Sequence, residues 1–265
     1  MDAVDRSRHI AGLGTPAQAW LDDPALAQVP AVGLDALVPE GRRAVVVAPH
    51  PDDEILSCGG LLHLLELHRR PFVVAAVTDG EGSHAGSAEW PVERLRATRP
   101  QETLGALDSL GIAAPQVVRL RVPDGGVTAA EEALARRLAG LLAPGDVVVT
   151  TWRYDGHPDH EATARACAAA ARAAGAALLE VPVWGWHWSA PGDGAIPFAQ
   201  ARKLPLPPAL VARKRAAMAC FRSQLTEDAS TGALPIVFPQ ALERLLNPYE
   251  LYLHEPRPTE PATAF

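Results

Sequence analysis

Short apolar runs alternate with segments of helical spacing between residues 44 and 183, and this alternation constrains the fold more than any other feature of the sequence. Strands that are joined by helices pair in parallel, and helices cover both faces of their sheet. We therefore predict an α/β fold with a Rossmann-like, mostly parallel sheet and helices on both faces. The predicted strands are AVVVA (44–48), FVVAAVT (72–78), VVRLRV (117–122), DVVVTT (146–151) and ALLEVPV (177–183).

The whole chain of 265 residues is predicted to form a single domain. Residues 1–40 are expected to form an N-terminal extension packed on the domain surface, residues 44–183 the Rossmann-like core, and residues 184–265 a C-terminal part that completes the substrate site. YELYLHE (249–255) is predicted to be a late edge strand, and the Pro-rich tail EPRPTEPATAF (255–265) is expected to be poorly ordered. The predicted helices span 59–69, 92–110, 128–142, 159–174, 208–221 and 239–246.

Composition and charge exclude several classes of partner. Hydrophobic residues make up 48% and charged residues 21% of the chain, as in an ordinary globular protein. The net charge of −7 gives no attraction to nucleic acid or to an anionic membrane. The sequence contains no apolar run of about 18 residues, and its N-terminus lacks the apolar segment of a signal peptide. Three widely spaced cysteines suit a reducing compartment, so we expect a cytoplasmic protein.

Polar clusters follow four of the predicted strands. In an open α/β sheet, ligands bind at the carboxyl ends of the strands. We therefore expect the fold to gather these clusters into one site. They are HPDDE (50–54), TDGEGSH (78–84), VPDGG (122–126) and WRYDGHPDH (152–160).

Three side chains in the first and last of these clusters have the chemistry of a catalytic zinc site. His50 and Asp53 are three residues apart and can face one point, and His160 arrives from another strand end. Two imidazoles and one carboxylate with an open position are the usual ligands of catalytic zinc. The open position would hold a water molecule that zinc makes acidic. The same ligands can bind Fe²⁺.

Neighbouring side chains offer proton transfer. Asp52 is a spare carboxylate beside a ligand and can accept the proton of that water as a general base. His157 is a spare histidine that Asp159 can orient, and its protonated ring can stabilise an oxyanion or protonate a leaving amine. The structural alternatives are an acidic first turn of a helix at residues 52–54 and a solvated H-x-x-H loop.

APHPDDE (48–54) and GHPDH (156–160) together resemble the LmbE-like, or PIG-L, family of zinc-dependent deacetylases, which remove an acetyl group from N-acetylglucosamine units of conjugates. The resemblance covers most of residues 44–226. The usual opening is AHPDDE, and here Pro49 stands before the histidine. The resemblance implies a three-layer LmbE-like fold and these site residues: the zinc ligands His50, Asp53 and His160, the base Asp52 and the electrostatic or acid partner His157.

Lesser matches to the family imply contacts with the substrate. Arg99, in an R-x-x-E pattern, implies such a contact, although an ion pair with Glu102 would also explain the spacing. Asp124 in VPDGG resembles a family aspartate that hydrogen-bonds sugar hydroxyls, and the alternative is a plain turn. The segment KRAAMACFRSQ (214–224) resembles a family K-x-x-A…SQ segment. Some relatives have a tyrosine at the position of Asp155.

Two further residues are candidates for substrate contact because of where they lie in the sequence. His84 is in a loop near the expected site. Trp186 belongs to an aromatic cluster, WGWHW (184–188), that follows the fifth predicted strand. Aromatic faces stack on sugar rings, although packing against the sheet would also use such residues.

The sequence therefore favours a zinc-dependent N-deacetylase that acts on an N-acetylglucosamine-type amino sugar in a larger, small-molecule conjugate. The alternative is a hydrolase of another amide conjugate, and the tryptophan cluster is compatible with such a substrate. A non-catalytic sugar- or nucleotide-binding module is disfavoured, because no G-x-G-x-x-G follows the first strand. No nucleic-acid or membrane partner is expected, and the sequence leaves the oligomeric state open, a homo-oligomer included.

Overall fold

A seven-stranded sheet forms the centre of the computed structural model, which describes residues 8–254. The strand order is β3-β2-β1-β4-β5-β7-β6. Neighbours among the first five strands pair in parallel, whereas β7 pairs antiparallel with both β5 and β6. The strands are Ala44–Ala48 (β1), Phe72–Ala76 (β2), Val117–Arg119 (β3), Val147–Thr151 (β4), Ala177–Val181 (β5), Ala201–Pro205 (β6) and Tyr249–His254 (β7).

Helices connect the strands and bury the sheet on both faces, which confirms the predicted α/β class with a mostly parallel sheet. Side chains alternate between the faces along each strand, so Val46 packs into one core and Val47 into the other. The longer helices are Asp53–Leu67 (α4), Val92–Ser109 (α5), Val127–Leu141 (α6), Pro158–Ala174 (α7), Pro208–Met218 (α9) and Pro239–Leu245 (α11). The four-to-five-residue helices are Ala17–Leu21 (α1), Pro24–Ala27 (α2), Leu34–Leu37 (α3), Gly185–Trp188 (α8) and Arg222–Leu225 (α10).

The C-terminal strand β7 was predicted to lie at the edge of the sheet, and this is wrong. It lies between β5 and β6, and β6 forms that edge. The sequence of β6, ARKLP, has two charges and a proline in five residues, which is unusual for a strand except at an edge. Such a strand carries no apolar pattern, so it was not predicted.

The N-terminal segment is more deeply embedded than the surface packing that was predicted for residues 1–40. Trp20 and Leu26 are 2% and 1% exposed and belong to the main core. The N–H of Val32 donates to the carbonyl of Lys203 on β6 (2.8 Å). Residues 1–7 and the tail from 255 to 265 lie outside the described residues. Within the part described, every helix is too short or too polar to cross a membrane.

Helix α4 starts six residues before the predicted helix at 59–69 and bends in the middle. Its backbone departs from helical geometry at Cys58, immediately before two glycines. After the bend, the N–H groups of Gly60 and Leu61 donate to the carboxylate of Glu250 on β7, at 2.7 and 2.9 Å. A methyl group on Gly60 would overlap the end of the Leu206 side chain and lie close to the carboxylate of Glu250, so the absence of a side chain at Gly60 suits this close packing.

Candidate active site

A cavity of about 480 Å³ opens at the carboxyl ends of the five parallel strands. The four polar clusters of the sequence meet there, as expected. Side chains of the two histidine motifs line it together with residues of the loops after β2, β3 and β5. The polar lining residues are His50, Asp52, Asp53, Ser83, Arg99, Asp124, His157, His160 and Gln224.

The turn after β1 holds Asp52 in a strained backbone conformation. Its φ of 139° lies in a region that residues with a side chain rarely adopt. The N–H of Asp52 donates to Oε2 of Glu54 (3.1 Å), and the N–H of His50 donates to Oδ2 of Asp53 (3.0 Å). The acidic first turn that was the structural alternative is therefore present, and the same acids belong to the site.

The three residues that were predicted to bind a metal are brought together around one carboxylate oxygen. His50 Nδ1 and His160 Nε2 lie 3.3 and 3.2 Å from Oδ2 of Asp53. Ligand atoms that sit 2.0–2.1 Å from a tetrahedral zinc ion are about 3.3 Å from one another. The side chains of all three residues are nearly buried. The donor types and the two distances to Oδ2 of Asp53 therefore match the ligands of a divalent metal ion.

Asp155 fixes which nitrogen of His160 faces the cluster. Its Oδ2 lies 2.8 Å from Nδ1 of His160, so Nδ1 donates to Asp155, and Nε2 is the nitrogen that faces Asp53 and would bind an ion after losing its proton. The carboxylate of Asp155 is fully buried and also accepts the N–H groups of Val183, Trp184 and Gly185 at 2.8–3.0 Å. In the sequence, Asp155 stood out only because it occupies the place of a tyrosine, and its role beside His160 was missed.

Two carboxylates hold the second ring nitrogen of His50. Its Nε2 lies 3.2 Å from Oδ1 of Asp124 and 3.4 Å from Oδ2 of Asp159. The carboxylate of Asp159 also accepts the N–H groups of Gly125 and Val127. A proton on Nε2 leaves Nδ1 of His50 to face Asp53. Asp124 was predicted to bind sugar hydroxyls; it lines the cavity and also supports His50.

His157 was predicted to have a protonated ring that the side chain of Asp159 orients, and the structure differs on both points. Its Nδ1 accepts the backbone N–H of Asp159 (3.2 Å), so the ring is neutral and its proton is on Nε2. Burial and the neighbouring charges of His160 and His50 lower the pKa of His157 to about 3. The Asp159 carboxylate is engaged by His50 and two backbone groups, which is why it does not hold His157.

The charges of the ligand cluster stabilise one another. Burial opposes a charged ring at His160, yet the carboxylates of Asp53 and Asp155 raise its pKa to about 9. Burial likewise opposes charge on His50, and its hydrogen bonds with Asp124, Asp159 and Asp53 raise its pKa well above the ordinary value. For Asp53, burial alone would raise the pKa, but the two histidines outweigh it and lower the pKa.

His50 belongs to two groups of side chains whose ligand atoms all lie within 4.8 Å of one another. One group is His50, His157 and His160, and the other is His50, Asp124 and Asp159. In the second group, His50 contributes Nε2, and the contacts of Nε2 with Asp124 and Asp159 explain why these three side chains lie together. The first group shares two members with the predicted ligand set, so His157 competes with Asp53 for the role of third ligand.

Arg99 was predicted to contact the substrate, and its guanidinium is instead engaged by the protein. It donates to the carbonyls of Gly80 (2.9 Å) and Pro51 (2.7 Å) and to Oδ2 of Asp52 (3.2 Å). Burial raises the pKa of Asp52 to about 7, against the opposing charge of Arg99. Arg99 therefore orients Asp52 from the wall of the cavity, and its contact with the substrate stays a prediction.

The alternative explanation of the R-x-x-E pattern, an ion pair between Arg99 and Glu102, is wrong. The carboxylate of Glu102 accepts the N–H and the hydroxyl of Ser223, at 2.8 and 2.6 Å. Ser223 and Gln224 end the segment KRAAMACFRSQ, and Gln224 lines the cavity. The two motifs therefore contact each other, and together they place Gln224 in the site.

Two predicted substrate contacts are not at the cavity. Trp186 is 4% exposed and packs edge-on against Trp20, with 5.1 Å between ring centroids, because the chain after β5 turns it into the core. His84 packs on Trp90, with 5.9 Å between centroids, and does not line the cavity. The neighbours Trp184 and Ser83 line the cavity in their place. In each case the loop reaches the cavity through a neighbour of the predicted residue.

Comparison with known proteins agrees with this geometry. Residues 45–171 match the family described as GlcNAc-PI de-N-acetylase, PIG-L. A 1D-myo-inositol 2-acetamido-2-deoxy-alpha-D-glucopyranoside deacetylase of Mycobacterium sp. (strain JLS) is 32% identical over 206 residues, or 66% of this chain. The match covers 64% of that relative, which is slightly under two thirds of its length.

Two solved structures share the fold. A conserved protein from Thermus thermophilus, TT1542, is 26% identical, with a TM-score of 0.56, and the match covers 84% of this chain and 99% of that one. The A40926 pseudoaglycone deacetylase Dbv21 is 22% identical, with a TM-score of 0.54 and coverage of 80% and 96%. Residues 45–171, which contain both histidine motifs, thus match the PIG-L (LmbE-like) family, and the two solved structures share the fold.

Proposed function

We propose that the protein is a zinc-dependent N-deacetylase that hydrolyses the acetamide of an N-acetylglucosamine-type sugar in a larger conjugate. The observation that carries this proposal is a spare carboxylate beside a metal-ligand set: Asp52 precedes Asp53 and lines the same cavity. The family domain supports it. So does the mycobacterial relative, whose name describes a deacetylase of a 2-acetamido-2-deoxy-glucopyranoside of myo-inositol.

His50, Asp53 and His160 would hold the ion through Nδ1, Oδ2 and Nε2. Two nitrogens and one carboxylate oxygen suit catalytic zinc, and Fe²⁺ accepts the same ligands. A bound ion would supply Lewis acidity, which polarises the acetyl carbonyl and lowers the pKa of a water molecule. Asp155 and Asp124 would keep the two imidazoles in the required tautomers.

Asp52 would move the proton of the reaction. Its carboxylate would accept a proton from the attacking water and return it to the amine nitrogen as the C–N bond breaks, which yields acetate and the free amino sugar. Arg99 would keep this carboxylate in place through its contact with Oδ2. The neutral ring of His157 would donate its Nε2 proton in a hydrogen bond to the carbonyl oxygen as negative charge develops there.

The direct test is amine release from N-acetylglucosamine conjugates by the purified protein, with and without its metal. A panel should include glycosylated natural products and, for comparison, conjugates with other amides. We expect acetylated amino sugars to react, a chelator to abolish the reaction and added Zn²⁺ to restore it. Full activity of chelated, metal-free protein would contradict the proposal. Reaction of only the conjugates with other amides would show that the substrate is not an acetylated amino sugar.

A further inference from the structure

We propose that the cavity contains a subsite for an apolar group of the substrate, formed by Ile10, Leu56, Trp184, Ile236 and Val237, which we call the apolar wall. The inference rests on the proposed function, because it concerns what is attached to the deacetylated sugar. A sugar ring and an acetyl group offer little apolar surface to bury. A wall of five apolar side chains therefore indicates a ligand that is apolar over part of its length.

The apolar wall comes mainly from outside the family domain at residues 45–171. Ile10 lies in the N-terminal segment, Trp184 follows β5, and Ile236 and Val237 belong to the loop between α10 and α11. By contrast, nearly all the polar lining residues lie inside that domain. Residues 45–171 thus supply most of the polar groups, and segments outside that range supply most of the apolar surface, which is where recognition of a particular conjugate is expected.

Ordinary packing does not account for the whole wall. Leu56 and Val237 are each 5% exposed, as core residues would be. Ile236 is 36% exposed, and Ile10 and Trp184 are partly exposed although they line the cavity. Their uncovered surface is available to a ligand, and burial of each methylene of that ligand would contribute about 0.8 kcal/mol, or about fourfold in affinity.

The wall is held in place by hydrogen bonds from the rest of the protein. Arg244 donates to the carbonyls of Leu13 and Thr15, both at 2.9 Å, and so anchors the segment that carries Ile10. The N–H of Trp184 donates to Asp155 (3.0 Å), and the N–H of Val237 donates to the carbonyl of Gln224 (3.0 Å). A preformed wall gains affinity because little ordering is needed on binding.

The test compares substrates that differ only in apolar length. Methyl and octyl N-acetylglucosaminides probe the aglycone side, and N-acetyl and N-octanoyl glucosamine probe the acyl side. We expect kcat/KM to rise at least about tenfold with the longer group in one arm, because several methylenes become buried. The arm that responds identifies the source of the apolar group.

Substitution of one wall residue locates the effect. In the arm that responds, Ile236→Ser should reduce the ratio of kcat/KM for the long group to kcat/KM for the short group about tenfold or more. The matched control is Leu67→Ser, since Leu67 is 63% exposed and does not line the cavity. Equal rates for long and short groups in both arms, or an equal loss for both substrates in Ile236→Ser, would overturn the inference.

Failure of the proposed function would look different. In that case neither methyl nor octyl N-acetylglucosaminide would release amine. Calorimetric binding then tests the apolar wall without turnover, with methyl and octyl glucosaminide as one pair and N-acetyl and N-octanoyl glucosamine as the other. At least about tenfold tighter binding of the longer compound in one pair would support the wall, and equal binding within both pairs would overturn it.

Discussion

Oδ2 of Asp155 lies 2.8 Å from Nδ1 of His160, and the same carboxylate receives three backbone N–H groups from the loop after β5. One side chain thus sets the tautomer of a ligand and the position of Trp184 on the apolar wall. Asp155→Asn should lower the affinity for Zn²⁺ about 10–100-fold, the usual effect of a lost second partner of a ligating histidine. Competition with a chromogenic chelator measures it, and Glu132→Gln on the exposed face of α6 is the control. Unchanged zinc affinity would contradict this role.

The third metal ligand is decided by comparing Asp53→Ala with His157→Ala. If Asp53 is the ligand, Asp53→Ala should lose metal, whereas His157→Ala should keep it and lose turnover about 10²–10³-fold, the usual loss for one donor to a developing oxyanion. Metal content after gel filtration and steady-state kinetics give both readouts. If His157→Ala loses as much metal as Asp53→Ala, then His157 is a ligand, with His50 and His160.

Asp52→Asn should keep the metal and lose turnover at least about 10²-fold, because the amide has nearly the same shape but cannot accept the proton. The single-turnover rate of acetate release measures the loss, and metal content checks that the neighbouring ligand Asp53 is intact. Wild-type turnover in Asp52→Asn would show that the proton is transferred by another group.

A methyl group on Gly80 would overlap the guanidinium of Arg99, so Gly80→Ala should displace Arg99 from Asp52. We expect kcat to fall about 10²-fold, the scale of a misplaced catalytic group, with metal affinity unchanged. Gly86→Ala is a closely matched control. Gly86 has a similar positive φ, 77° against 70°, but open space around it. Both variants should lose about 1–2 kcal/mol of stability from the backbone strain, and equal kcat values would argue against this coupling.

Lys214 and Glu250 form a buried ion pair, with 2.7 Å between Nζ and Oε1 and side chains 1% and 2% exposed. Lys214→Met should lower the free energy of unfolding by about 3–5 kcal/mol, because it leaves a buried carboxylate without its cation. The double variant Lys214→Met/Glu250→Gln should recover part of that loss. Urea denaturation measures both. Arg136→Met, which breaks an exposed pair with Glu132, should lose less than about 1 kcal/mol.

Local patterns in the sequence were enough to predict the parallel strands and the two histidine motifs that meet in the site. The parallel strands are continuous apolar runs, and a run such as AVVVA is apolar on both faces, as a strand covered by helices requires. His50, Asp53 and His160 follow two such strands, and the carboxyl ends of adjacent parallel strands meet by geometry alone. Strand β6 escaped prediction because its burial and pairing depend on β7 rather than on its own five residues.

The sequence patterns did not predict the directions in which side chains point within loops. Trp184 and Trp186 lie two residues apart in α8 and its cap, and the turn after β5 sends one to the cavity and the other to Trp20. The partners of Arg99, Glu102 and Asp159 are contributed by distant segments, so residue spacing along the chain gave the wrong partners. These contacts form only when the whole fold is assembled.

The bend in α4 has a consequence for how the chain becomes active. The carboxylate that receives the N–H of Gly60 belongs to Glu250, which is 190 residues further along the chain. During synthesis, this contact can form only after β7 has left the ribosome. A chain cut short before β7 would retain His50, Asp53 and His160 in its sequence and lack the contact that Glu250 makes with the second half of α4. The surroundings of the helix that begins with Asp53 are therefore completed late in biosynthesis.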